Sequence, residues 1–285
     1  MKDKIVLALA GLPSIGNHGG AQTCYGILEA LRKQYDIHVI SLYEKSNQYL
    51  KDKKKNEEQL KKLNIEISYI EIESDSKKNF IQKFFILKDL FYPNLENYYK
   101  WSKYKNKISL ILSKINPKFI ICYHYEPLVA IYNLNYKIYA MFGDPTQKVI
   151  ENFFNRKLSD KIYYKIIYKL QLKILTNVLD RLFIKITKKC ENVFFFAAHY
   201  VKWSHDLGVK SNYIRTPLYD NLIKTRKTNK KFSILMIGDL SGTVTKSGLD
   251  YFFDKIYPKL IKKINPNKFN VNIIGRNFNY YKKKV

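Results

Sequence analysis

The chain has 285 residues, of which 46% are hydrophobic and 26% charged. This composition supplies enough apolar sequence for packed cores and excludes an intrinsically disordered protein. At roughly 150 residues per domain, the length favours two domains. The net charge of +27 comes mostly from lysine, since only six of the 51 basic residues are arginine. Two compatible explanations of this excess are codon bias in an A/T-rich genome and attraction to an anionic partner.

The three cysteines, Cys24, Cys122 and Cys190, are far apart and odd in number. They exclude a disulfide framework and a CxxC zinc site, and they favour a reducing, cytoplasmic location. The apolar run at 5–12 is too short for a signal peptide and leads into a glycine-rich turn, so it predicts a buried strand. No run reaches the roughly 18 apolar residues that span a bilayer.

The first forty residues predict a βαβ unit. Residues 5–10 form a short apolar run, 11–22 are rich in glycine, 23–34 have helical periodicity, and 37–42 form a second apolar run. A strand, a loop, a helix and another strand in this order imply a parallel, doubly wound α/β sheet.

The pattern continues through the middle of the chain. We predict a solvated helix or loop within 45–62, strands at 65–72, 119–123, 136–142 and 192–196, and helices at 80–90, 98–115, 159–188 and 198–207. These elements complete a first, Rossmann-like domain over residues 1–223.

A polar, basic segment at 224–231 is the predicted linker, and 232–285 opens a second domain. That domain begins with another βαβ pattern: a strand at 232–237, a loop, a helix at 249–263 and a strand at 270–274. One such unit is too small for a free-standing sheet, so we expect the second domain to be incomplete.

Three segments resemble glycosyltransferase family four and its relatives, which have the two-domain GT-B fold. They are the opening strand with GNHGGAQ, the segment from Cys190 to Asn221 with its Leu-Gly-Val stop, and the segment from Phe232 to Asn277, which ends in Ile-Gly-Arg-Asn. The sequence departs from the family at Asp239, where a basic residue is common. The resemblance predicts the family's two glutamates, eight residues apart, at positions beyond residue 285.

The resemblance implies a glycosyltransferase that moves a sugar from a nucleotide-diphosphate donor to a glycan or lipid-linked acceptor. It implies retention of anomeric configuration and no metal or cofactor, because the nucleotide-sugar is itself a substrate. The first domain would bind the acceptor and the second the donor. The alternative is a non-catalytic remnant, or half of a split enzyme that needs a partner chain.

In the first loop, Gly19 and Gly20 allow a backbone to approach a diphosphate beside a helix N-terminus. His18 in the same loop is a candidate for acceptor binding. An ordinary strand–helix turn with an exposed histidine is the alternative interpretation.

Three further candidates follow predicted strands, where open α/β sheets bind ligands. His124 follows the strand at 119–123 and is a candidate catalytic residue, with Glu126 as its partner at the acceptor. Asp144 follows the strand at 136–142 and is the second candidate catalytic residue, which could accept a hydrogen bond from the acceptor sugar. The alternatives are a satisfied histidine at a strand end, a loop charge, and a turn-initiating aspartate before proline.

In the second domain, Gly238, Gly242, Thr243 and Lys246 are predicted to form a strand-to-helix loop that holds the donor diphosphate, with Lys246 neutralising the leaving group. A flexible surface loop is the alternative. No two histidines have metal-ligand spacing, so no metal site is predicted.

Two other interpretations of the basic charge remain. The segment 161–189 mixes lysine with tyrosine, isoleucine and leucine, and it could lie on an anionic membrane or be a core helix with a solvated lysine face. Nucleic-acid binding is disfavoured, because arginine is scarce and no recognised binding motif occurs.

Overall fold

A computed structural model describes residues 2–15, 19–44, 47–72, 100–149, 162–217, 232–238 and 243–275. The chain divides into two compact units, 1–220 and 221–285. Their boundary, the predicted linker at 224–231 and the predicted helix at 80–90 lie outside the described residues.

Unit 1 alternates strands and helices. Its strands are β1 (Lys4–Ala10), β2 (Asp36–Glu44), β3 (Glu66–Ile72), β4 (Phe119–Tyr123), β5 (Ile138–Phe142), β6 (Asn192–Phe195) and β7 (Asn212–Tyr213). Its helices are α1 (Gly19–Leu31), α2 (Asn47–Lys61), α3 (Lys105–Ile115), α4 (Tyr125–Ile131), α5 (Ile162–Thr187) and α6 (Ala198–Asp206), and a 3-10 turn at Lys100–Tyr104 precedes α3.

The seven strands are all parallel and lie in the order β3-β2-β1-β4-β5-β6-β7. The order runs outward in both directions from β1 and β4, which are neighbours although α1, α2, β2, β3 and α3 separate them in sequence. Such a reversal is a topological switch point, and open α/β sheets bind ligands beside it at the carboxyl ends of the strands. The predicted doubly wound α/β sheet is confirmed for unit 1.

The central strand β1 is buried on both faces, as a parallel strand between two helix layers must be. Ile5, Leu7 and Leu9 enter one core with residues of α1 and α2. Val6 and Ala8 enter the other, with residues of α3, α4 and α5. Successive residues of a strand point to opposite faces, so one apolar run supplies both cores.

The first helix begins earlier than the periodicity predicted, at Gly19 instead of Thr23. Gly19 and Gly20 therefore belong to the first helical turn and not to the preceding loop. Farther along α1, a Cβ atom at Gly26 would lie 2.7 Å from the carbonyl oxygen of Pro217. This glycine lets the segment after β7 pack directly on α1.

Unit 2 contains a two-stranded parallel sheet of β8 (Phe232–Ile237) and β9 (Phe269–Ile274). Between them lie α7 (Thr243–Tyr251), a π-helical turn at Phe252–Ile256 and α8 (Tyr257–Lys263). Leu249 is the centre of a small core with Met236, Phe253 and Ile273. Among the described residues of both units, no helix is long and apolar enough to cross a membrane.

Candidate functional site

The candidate site of unit 1 lies where β1, β4 and β5 end. Adjacent parallel strands end at the same edge of a sheet, so the segments that follow these three strands are brought together there. β4 pairs with β1 on one side and with β5 on the other. The predicted residues after each strand, from Gly19 through His124 to Asp144, therefore share one edge.

The turn after β1 is held firmly to the sheet. Gly11 adopts φ of +88°, a left-handed conformation that favours glycine. Its N–H donates to the carbonyl of Leu42 at 2.8 Å, and its own carbonyl accepts a 2.6 Å hydrogen bond from the Ser41 hydroxyl. These two hydrogen bonds hold the turn after β1 against β2.

Ser14, in the same turn, has a fully buried side chain whose hydroxyl has no hydrogen-bond partner among the described residues. A buried polar group without a partner is costly, so its presence needs an explanation. The Ser14 backbone N–H donates to the carbonyl of Ala21 in α1 at 3.1 Å, which places Ser14 against the start of that helix. Gly19 is exposed there and a Cβ atom on it would touch nothing. His18 lies outside the described residues.

His124 is the most strained residue of the site. Its φ of 70° and ψ of −174° belong to a region that only glycine occupies readily. The conformation is held by a 2.8 Å hydrogen bond from the His124 backbone N–H to the carbonyl of Met141. It turns the chain directly from β4 into α4. Strain of this kind concentrates at functional sites.

The His124 ring packs edge-on against Tyr123 with 4.3 Å between ring centroids. A Cβ atom at position 143 would lie 3.3 Å from both Cε1 and Nε2 of His124 and 3.5 Å from the Tyr123 hydroxyl oxygen. Gly143 therefore leaves room for both rings at the end of β5.

Tyr123 links the elements around the site. Burial raises the pKa of its hydroxyl, and the nearby charges of Asp144 and Glu126 raise it further, whereas a side-chain hydrogen bond with Thr23 of α1 lowers it. Groups from α1, α4 and the turn after β5 therefore all influence the protonation of one phenol. Tyr123 consequently stays protonated and can donate a hydrogen bond.

Glu126 lies in the first turn of α4 and is only partly exposed. Burial of its carboxyl raises the pKa, and a hydrogen bond with its own backbone opposes that change. The interpretation of Glu126 as a loop charge is wrong, because α4 begins one residue earlier. The pattern YEPLVAI is short and has proline at its third position, so the helix was missed.

Asp144 is exposed and accepts a 3.0 Å hydrogen bond from the Tyr200 hydroxyl. Burial and the Asp144 charge raise the pKa of Tyr200 to about 12, so this phenol is a proton donor at neutral pH. Tyr200 is near the start of α6, and the His199 ring packs against its ring at a tilt of 53°, with 3.9 Å between centroids. Sequence reasoning missed Tyr200, because nothing in its spacing points to Asp144.

A buried chain of side-chain hydrogen bonds connects the elements that carry the site residues. The Tyr125 hydroxyl donates to Oε1 of Gln147 at 2.7 Å, and Nε2 of Gln147 donates to Oδ1 of Asp180 at 3.2 Å. Gln147 is almost completely buried. The chain ties the start of α4 and the segment after β5 to α5, which fixes the backbone on either side of His124 and Asp144.

In unit 2 the predicted loop is shorter than expected. Thr243 and Lys246 lie in α7, so the expectation that they belong to the loop is wrong. A Cβ atom at Gly238 would lie 2.8 Å from the side chain of Thr245, and the close packing of β8 on α7 therefore explains this glycine. Gly242 lies outside the described residues.

The site offers hydrogen-bond donors and acceptors at a sheet edge: the His124 ring, two phenols and two carboxyls, beside the N-terminus of α1. Such a set can bind a polyhydroxylated or anionic ligand and move a proton. Among the described residues, no three His, Cys, Asp or Glu side chains are grouped to hold a metal ion.

No protein-family model matches the chain, and no curated protein matches it. Among solved structures, it is similar to a UDP-glucosyltransferase from Polygonum tinctorium that glucosylates indoxyl, with TM-score 0.46 and 9% identity over 96% of this chain and 72% of that one. Arabidopsis thaliana UGT89C1, complexed with UDP-L-rhamnose, gives TM-score 0.45 and 11% identity over 96% of this chain and 69% of that one. A UDP-glucose: anthocyanidin 3-O-glucosyltransferase in complex with UDP gives TM-score 0.44 and 13% identity over 95% of this chain and 72% of that one. These likenesses are distant, and the fold assignment rests on the strand order of unit 1.

Proposed function

We propose that the protein is a glycosyltransferase of the GT-B type, which transfers a sugar from a nucleotide-diphosphate donor to a glycan or lipid-linked acceptor. Unit 1 would bind the acceptor at the carboxyl edge of its sheet. Unit 2 would bind the donor. The observation that carries the proposal is the strained His124 at the switch point, with Glu126, Asp144 and two phenols around it.

In this proposal His124 orients the acceptor hydroxyl, and Asp144 and Glu126 accept hydrogen bonds from the acceptor sugar. The Tyr200 hydroxyl holds Asp144 in place. Strands and short helices fix these groups before any ligand binds, which reduces the ordering that binding requires. The N-terminus of α1, with Gly19 and Gly20, would bind a phosphate or a sugar hydroxyl.

On unit 2, the donor diphosphate would lie at the N-terminus of α7, where helical N–H groups and the helix dipole favour an anion. Thr243 lies in the first turn, and Lys246 is one turn from the helix start. Lys246 would neutralise the leaving diphosphate, in place of a metal ion. Gly238 contributes by allowing β8 to pack closely on α7. We further propose that anomeric configuration is retained.

The donor proposal is tested by hydrogen exchange of the full chain with a panel of UDP-, GDP- and ADP-sugars. We expect one nucleotide class to protect amides at the start of α7, and transfer or hydrolysis of the same donor to be detectable. An absence of protection with every nucleotide would contradict the assignment of unit 2, whatever the acceptor.

A second candidate function, one half of a split transferase that needs a partner chain, has one observation in its favour. Leu235, Ile237 and Ile274 on the two-stranded sheet of unit 2 are exposed by 53%, 69% and 58%. Apolar strands with exposed side chains favour the addition of further protein. Dimerisation or capture of a defined partner together with donor hydrolysis would support this candidate, whereas activity of the purified monomer would contradict it.

We also propose peripheral contact with an anionic membrane, at its cytoplasmic face, through α5. Lys169, Lys173, Arg181 and Lys185 are exposed at intervals of four or eight residues, while Val178, Leu182 and Phe183 point into the core. The four cationic side chains therefore lie on the side of α5 that faces away from the core. Vesicles with anionic lipid should bind the protein in a salt-dependent way, and the Lys169→Glu/Lys173→Glu variant should bind more weakly than Lys54→Glu/Lys55→Glu on α2. Equal binding by both variants would contradict the proposal.

A further inference from the structure

Three polar side chains at the opposite, amino-terminal edge of the sheet form a continuous chain of contacts. Nδ1 of His38 lies 3.2 Å from Oε2 of Glu66, and Nε2 of His38 lies 2.8 Å from Oγ of Ser68. The proposed transferase site uses none of these residues.

The register of β2 and β3 explains why the three meet. His38 lies directly opposite Glu66 in the parallel pairing. Ser68 is two residues farther along β3, so it projects from the same face of the sheet as Glu66. The single histidine therefore contacts both neighbours, one through each ring nitrogen.

The chemistry of the partners fixes the position of the protons. An ionised Glu66 carboxylate can only accept, so Nδ1 of the neutral His38 ring carries the hydrogen. Nε2 then has a lone pair, and the Ser68 hydroxyl donates to it. A hydroxyl that donates to an imidazole, itself oriented by a carboxylate, is the arrangement of an activated serine nucleophile.

The three residues border a cavity of about 350 Å³ under α3. Ile111 and Ile115 of α3 give it an apolar wall, and Lys4 and Lys114 supply positive charge. The volume is at the small end of the range for ligand pockets, roughly 300–1,000 Å³. These properties suit a short acyl group, whose apolar part would lie against the isoleucines and whose carbonyl would face the lysines.

We propose that Ser68 is a nucleophile for small carboxylic esters, with His38 as its general base and Glu66 as the positioning residue. The Ser68 oxygen attacks the ester carbonyl while its proton passes to Nε2 of His38, and the lysines stabilise the oxyanion. The imidazolium then protonates the leaving alkoxide, which departs as an alcohol. Water, deprotonated by His38, attacks the acyl-serine, releases a carboxylic acid and restores Ser68.

The test uses the intact chain and a fluorophosphonate probe, with the labelled residue located by mass spectrometry and p-nitrophenyl acetate as substrate. We expect labelling at Ser68, its loss in Ser68→Ala, and a rate about 100-fold lower in His38→Ala, because general base catalysis contributes factors of this size. Ser113→Ala is the matched control, since Ser113 is an exposed serine on α3 whose hydroxyl donates to the Leu110 carbonyl. It should label normally.

The positioning role of Glu66 has its own measurement, the pH profile of labelling. Burial lowers the pKa of His38, Lys4 lowers it further, and Glu66 and Asp36 raise it; Lys114 of α3 is the other charged group lining the cavity. Glu66→Gln should slow labelling about tenfold, as expected for one exposed charged hydrogen bond, and should shift the inflection to lower pH. No labelling, labelling at another residue, or labelling of Ser68 that does not depend on His38 would each overturn the proposal.

Discussion

The amino-terminal and carboxyl edges of the unit 1 sheet have different structural features. The amino-terminal edge has a cavity of about 700 Å³, lined by residues such as Lys2, Asp36 and Asn116. Its ion pair between Lys118 and Asp3 is well exposed to solvent. The carboxyl edge has instead a strained histidine, a phenol with a raised pKa and a buried hydroxyl without a partner among the described residues.

Backbone strain and buried polar groups, and not a cavity, therefore distinguish the carboxyl edge. Backbone strain and buried polar groups lower the stability of the fold, so they persist where they serve another purpose. Exposed charges at a sheet edge need no such explanation. The predictions that follow test whether the two edges differ in function as they do in structure.

The largest expected effect is at His124. His124→Ala and His124→Gly both remove the ring that orients the acceptor hydroxyl, and each should lower the rate of sugar transfer about 100-fold, because a misplaced substrate can lose a factor of this size. Only glycine relieves the positive φ, so His124→Gly should be about 1 kcal/mol more stable to denaturant than His124→Ala. The measurements are donor turnover and urea unfolding. Equal stability of the two variants would show that the backbone is not strained.

A smaller effect is expected at Tyr200, which holds Asp144. Tyr200→Phe removes one hydrogen bond to a carboxylate, and the KM for acceptor should rise about three- to tenfold while kcat stays nearly constant. Steady-state kinetics with acceptor varied measures this effect. Asp144→Asn is the companion variant, and the two changes together should cost less than the sum of their separate effects. Additive effects would contradict the coupling.

Glu126 should give a pH-dependent change in stability. Its pKa is raised in the folded protein, so its favourable contribution is complete below the unfolded pKa and is lost as pH rises through the folded pKa. Glu126→Gln remains neutral and should therefore unfold at a higher temperature than the wild type at pH 7. The difference should shrink as the pH falls through the raised pKa of folded Glu126 and should vanish below the unfolded pKa of about 4.5. A variant that is less stable at pH 7 would show that the charged carboxyl is well satisfied.

The sequence predicted the sheet better than the site. Apolar runs such as 5–10 and 119–123 specify buried parallel strands directly, because both of their faces are covered. The placement of His124 and Asp144 after two such strands follows from the same pattern. Tyr200 and Tyr123 could not be placed, because their roles depend on contacts between residues far apart in the chain. The start of α1 was missed because glycine disfavours helix, and packing overrides that preference here.

The smallest effect is expected at the amino-terminal edge, in Lys118→Ala. The Lys118 ammonium donates to Asp3 at 2.6 Å, and this hydrogen bond raises the pKa of the lysine. Both side chains are more than half exposed, at 58% and 55%, so water and salt screen the pair. We expect no measurable change in the unfolding midpoint or in sugar transfer. A clear loss of sugar transfer would mean that the amino-terminal edge contributes to the transferase reaction as the carboxyl edge does, and the contrast between the two edges in that reaction would fail.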